Sequence, residues 1–99
     1  MGLMFSQAKG APEDFVTAAL RFRKAAEQGY ASGQFDLGYM YESGSGVPED
    51  LVEAFKWYSL AAAQGDQDAA KNLQELTASL KKSQIAEGQK RAAAFKPQK

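Results

Sequence analysis

"PEDLVEAFKWYSLAAAQG", residues 48–65, is a second version of "PEDFVTAALRFRKAAEQG", residues 12–29. A slide of 36 residues lays Pro12-Glu13-Asp14 on Pro48-Glu49-Asp50, Ala25-Ala26 on Ala61-Ala62 and Gln28-Gly29 on Gln64-Gly65. Eleven of the 33 aligned pairs between 12–44 and 48–80 are identical. Average residue usage gives about two or three by chance. The same shift places Gly2, Met4 and Gly10 on Gly38, Met40 and Gly46, so the opening "MGLMFS" reads as the back half of a repeat. A period of this length is the mark of stacked supersecondary units.

The unit is a helix pair. Ala54, Trp57, Tyr58, Ala61 and Ala62 recur at three- and four-residue spacings, the signature of one helix face. Asp50 with Glu53 predicts a capping box at the start of that helix. Gly65 predicts its stop, because glycine takes the left-handed position without a Cβ clash. Asp66 opens the next helix, whose stripe is Ala69, Ala70, Leu73 and Leu76. The alanines of the first helix, with Gly33 and Ala69 at the start of the second, let neighbouring helices approach closely. Helices are expected near 1–7, 14–28, 31–43, 50–64, 67–80 and 83–95. The organisation is one domain over 1–99, divided into a half repeat (1–11), repeats at 12–46 and 47–80, a closing helix at 81–95 and a tail at 96–99.

Composition removes several function classes. The 99 residues include no cysteine and no histidine, so disulfides and the usual zinc sets are excluded. Apolar content of 44% supports a folded core. The zero net charge is split: residues 1–79 carry six basic and eleven acidic side chains, and residues 80–99 carry six basic ones and only Glu87. The basic end reads as a solvated helix face and tail, and no nucleic-acid or membrane partner is expected. Met1 to Phe5 is too short to span a membrane and lacks a charged n-region and a cleavage site.

"LGYMYESGSGVPED" (37–50) followed by "AFKWYSLAAAQG" (54–65) resembles the Sel-one-like repeat family, a branch of the tetratricopeptide-like helical repeats. The resemblance implies an all-α fold: an α-solenoid of antiparallel helix pairs in a right-handed superhelix, with a C-terminal capping helix. It also implies a protein-interaction module or scaffold that binds a peptide or a partner helix on a concave surface, without cofactor or catalysis. In the second copy Gln74, Thr77 and Leu80 replace Gly38, Tyr41 and Gly44, so the array is expected to end there. "QIAEGQKRAAAF" (84–95) looks like the closing helix of many bacterial members, with Ile85, Gly88, Ala92 and Phe95 in one stripe. The family often starts this helix with Thr-Pro. Here Lys81-Lys82 stand instead, which leaves open one long helix from about 67 to 95. Many bacterial relatives are exported.

Three short motifs are candidates for chemistry. Ser79-x-x-Lys82 matches the Ser-x-x-Lys of serine β-lactamases, an activity linked to some cysteine-rich relatives, so a β-lactam-binding hydrolase is a remote alternative. The Ser-Asp-Asn and Lys-Thr-Gly partners are missing from the sequence. Gly44-x-Gly46 lacks the lysine and preceding strand of a phosphate loop. Glu49, Asp50 and Glu53 are better explained as helix-start charges than as metal ligands.

A partner-binding strip is the remaining candidate. Thr17, Arg21 and Lys24 lie at i, i+4, i+7 on their helix, and Glu53, Trp57 and Leu60 are their equivalents one repeat later. Mixed charge with Trp and Leu suits protein recognition. The alternative is structural self-assembly, with Leu3, Met4 and Phe5 as the apolar surface of a homodimer joined through the N-terminal half repeat.

Overall fold

Five helices follow one another: α1 (Pro12–Glu27), α2 (Ala31–Ser43), α3 (Leu51–Ala63), α4 (Gln67–Ser79) and α5 (Lys82–Ala94). The computed structural model describes residues 12–97, with side chains from Phe15 onward. The expected helix near 1–7 lies outside the described residues. Among the described residues there is no strand.

Local chemistry sets the ends. Gly29, Gly44 and Gly65 hold φ of 99°, 72° and 98°, each at a helix stop where a side chain would be strained. The Asp50 carboxylate accepts from the Val52 and Glu53 amides at 3.1 Å each, and Asp66 accepts from the Ala69 amide at 3.0 Å. The expected capping box at Asp50 forms only by half. Glu53 does not reach back to the Asp50 amide, which donates to the Tyr41 carbonyl at 3.0 Å. Its carboxylate is engaged by Arg91 instead, at 2.8 Å.

Packing explains the small residues. A Cβ on Gly33 would lie 2.6 Å from the Ala25 Cβ, so only glycine lets α2 sit this close to α1. A Cβ on Gly38 would lie 2.9 Å from the ring of Tyr58, so the glycine of Leu37-Gly38 is the bed for that aromatic. Gln74, where the first copy has Gly38, is exposed, because α5 packs on α3 and brings no aromatic ring against α4 at that position. The core gathers Leu37, Phe55, Trp57, Tyr58 and Leu76 around Ala26 and Ala54. The Tyr58 hydroxyl donates to Glu42 at 2.7 Å, and burial pushes its ionisation well above the usual tyrosine range.

A polar chain that starts at one buried glutamine ties the pairs together. Gln34, 1% exposed, donates to the Ala26 carbonyl at 3.2 Å. Gln64, from the Gln64-Gly65 signature, donates to the Gly29 backbone carbonyl at 2.7 Å and to the Gln34 side-chain Oε1 at 2.9 Å. The end of α3 is therefore latched to the turn that closes α1, and the buried Gln34 amide is paired at both its nitrogen and its oxygen, as burial demands.

The long-helix alternative over 67–95 does not occur. α4 ends at Ser79, and Leu80 (φ −94°, ψ 151°) and Lys81 (φ −78°, ψ 158°) are extended. The Lys81 amide donates to the Gln84 side chain at 2.9 Å, which starts α5. The main packing partner of α5 is α3, not the α4 that precedes it. No helix of the described residues is long and apolar enough to cross a membrane.

Candidate partner-binding surface

The i, i+4, i+7 spacing places Thr17, Arg21 and Lys24 along one side of α1, and all three are exposed. A shallow depression of about 350 Å³ opens there, lined among the described residues by Thr17, Ala18, Arg21 and Phe22. Arg23, the next basic residue, is not part of this side. Its guanidinium donates to the Tyr41 hydroxyl and lies 4.0 Å from Glu27.

The equivalent side of α3 is covered. Trp57 is 2% exposed and belongs to the core, so its ring is not presented to a partner as the strip in the sequence required. Phe95 meets it edge-on, with centroids 5.4 Å apart and planes at 75°. The Lys56 ammonium stands 4.2 Å from the Trp57 centroid and 5.7 Å from that of Phe95. Arg91 bridges Glu53 at 2.8 Å and Glu87 of its own helix at 2.9 Å. Gly88 lies against the Phe55 ring, where a side chain would collide. Leu60 is half-buried, at the edge of a second depression of about 320 Å³ bounded by Ala63, Phe95 and Pro97. A helix thus occupies, on α3, the positions whose counterparts on α1 are open.

The indole Nε1–H of Trp57 is buried without a hydrogen-bond partner among the described residues. Ser79 donates to the Leu76 carbonyl at 2.8 Å, and Ser79-x-x-Lys82 straddles the break between α4 and α5. No group of three or more acidic, His or Cys residues that could hold a metal occurs among the described residues. Leu3, Met4 and Phe5 lie outside them. The cover supplied by Arg91 and Phe95 was not legible as such: Phe95 stood in the closing stripe, but nothing in the sequence says which helix that stripe meets.

The alanine-rich α3, the Gly-Ser-Gly-Val-Pro connection and the α2–α3 pair, the most extensive helix interface in the fold, form one unit. The family model for the Sel1 repeat matches residues 1–30 and 31–66, the second match spanning that unit. The chain belongs to the Sel1 repeat family. Sel1 repeats are generally protein-interaction modules, and the family is typically non-catalytic. The five-helix, all-helical structure is consistent with the α-solenoid of Sel1 repeats. No curated protein matches the chain.

Proposed function

We propose that this Sel1 repeat protein binds a peptide or partner helix along the exposed side of α1, with Thr17, Arg21 and Lys24 as the contact residues. The supporting observation is the repeat equivalence: the same positions on α3 hold a helix, α5, through a salt bridge at Glu53 and an aromatic contact at Trp57. On α1 the corresponding positions are a threonine and two cations. The complementary partner is an acidic amphipathic helix, since groove recognition of a helix pairs its anchors with pockets and its charges with opposite charges. The test is a pull-down from the native host read by mass spectrometry, comparing the wild type with Arg21→Glu/Lys24→Glu. Loss of a saturable partner with an unchanged thermal melt supports the reading. Retention of every captured protein by the double variant rejects it.

A second reading, self-association, is favoured by the outward side of α1. Phe15, Val16 and Leu20 are 46%, 48% and 63% exposed, an apolar group that a second copy would cover. Together with Leu3, Met4 and Phe5 it would form the face of a homodimer. Light scattering over a hundredfold concentration range decides it: a mass that doubles in the wild type and stays single in Met4→Lys/Phe5→Glu supports the dimer.

A further inference from the structure

α5 is held differently from the other helices. Of its residues only Gly88 is buried. Ile85, Ala92 and Phe95 are half-covered, and the Arg91–Glu53 pair is partly exposed. What α5 covers, by contrast, is among the most buried surface of the chain, Phe55 and Trp57. The helix is joined to α4 by Leu80 and Lys81 alone. Neither is a glycine or a proline, and both already have φ near the helical range. Only the two ψ angles separate the broken form from a continuous helix.

We propose that the α3 face lined by Glu53, Phe55 and Trp57 is a helix-exchange surface, which releases its own α5 and accepts the α5 of a second copy, with Leu80–Lys81 as the hinge. In the open form α4 and α5 run on as one helix, and Phe95 is carried ~22 Å along the axis from Leu80. The backbone groups at the break then gain regular i to i−4 partners in place of the Gln84 cap. The cost of opening is the lost cover of Phe55 and Trp57. A second copy restores that cover with the same residues: Gly88 on the Phe55 ring, Arg91 on Glu53, Phe95 on Trp57. Exchange of one element between identical chains needs no new contact, which makes it a low-cost route to a dimer. It also needs no partner at the α1 side, so it stands or falls apart from the binding proposed there.

The chain's lack of cysteine supplies the test. A Cβ at position 88 lies 3.2 Å from the Phe55 Cβ, close to the span a disulfide bridges. Full chains carrying Phe55→Cys alone and Gly88→Cys alone are mixed at high concentration under mild oxidation. The exchange predicts a disulfide-linked heterodimer. The chain with both substitutions, oxidised when dilute, controls for folding and geometry by closing on itself. Lys82→Pro, placed in both single variants, locks the break: proline suits the first helical position, and the residue before it is confined to the extended backbone Lys81 already has. Most of the heterodimer is then lost. Gln84→Ala, which removes the acceptor of the Lys81 amide, raises it. A double variant that closes on itself while the mixed singles never link overturns the proposal. So does a heterodimer that Lys82→Pro leaves undiminished. Met4→Lys/Phe5→Glu leaves the linked product unchanged, and its loss in that variant would assign the association to the N-terminal face instead.

Discussion

Gly65 separates backbone from packing. Its φ is 98°, and nothing lies within 4 Å of the position a Cβ would take. A substitution there meets open space, and its whole cost is the left-handed backbone. Gly65→Val is expected to lose about 1 kcal/mol or more, since a β-branched residue is an outlier at positive φ. Ser45→Ala is the contrast. Its hydroxyl meets that of Ser43 at 2.9 Å. The bond is exposed, so its removal trades against water and is expected to cost little. Urea melts of the two variants check this: the Gly65→Val midpoint should fall clearly below that of Ser45→Ala. Asp36 shows a different residue-scale effect. Burial first, and the nearby Asp66 carboxylate second, raise its ionisation above the usual 3.8. Between 3.8 and the raised value the folded chain holds more proton than the unfolded one. Stability therefore falls as pH rises through that window and stays reduced above it. Asp36→Asn should melt higher than the wild type at pH 7, and the gap should shrink as the pH is taken below 3.8. A constant gap across that range would contradict the assignment.

At the scale of the helix, α1 and α3 are two versions of one element in two environments. Arg21 and Trp57 are equivalent in the repeat, but Arg21 is exposed and Trp57 lies under α5. Trp57→Ala is expected to cost ~3–5 kcal/mol, the range for emptying a buried aromatic site, while Arg21→Ala stays within about 0.5 kcal/mol. Thermal melts followed by circular dichroism measure both, and a Trp57→Ala chain as stable as the wild type would refute the core placement. The helices themselves were legible, because glycine stops and aspartate caps act within a few residues. α2 runs over 31–43 as the spacing predicts, and the others differ by one or two residues at their ends. The break after α4 was expected between helices near 67–80 and 83–95, with one long helix left open, and α4 and α5 do end and start there. Leu80 and Lys81 carry no breaker, and the turn exists because the stripe of α5 reaches α3. Glu53 was misread for a related reason. Its position favours a local cap, but Arg91, 38 residues away, takes its carboxylate, and no local pattern announces such a pair.

For the whole molecule, the repeat announced an array and left its closure unstated. A 36-residue self-match says that units stack. It does not say where a helix outside the period will lie, and α5 lies along the face on which the candidate strip was drawn. Half of that strip is consequently under cover, and the open half is on α1. The Gln34–Gln64 pair was equally hidden, since a glutamine before glycine looks like an ordinary polar helix end until the preceding turn is seen beside it.

That latch has a bearing on how such a chain grows. Gln64 grips the Gly29 carbonyl and Gln34, and both partners stand at the junction between one 36-residue block and the next. A tandem duplication of residues 30–65 would carry a fresh Gln34 into place just after Gly65 and a fresh Gln64 to reach them both. The new block would arrive with its own fastening, in register, and without any compensating change elsewhere. Lengthening by whole blocks is thus built into the fold, while the second copy as it stands, with Ala70 where Gln34 would recur, offers no such socket.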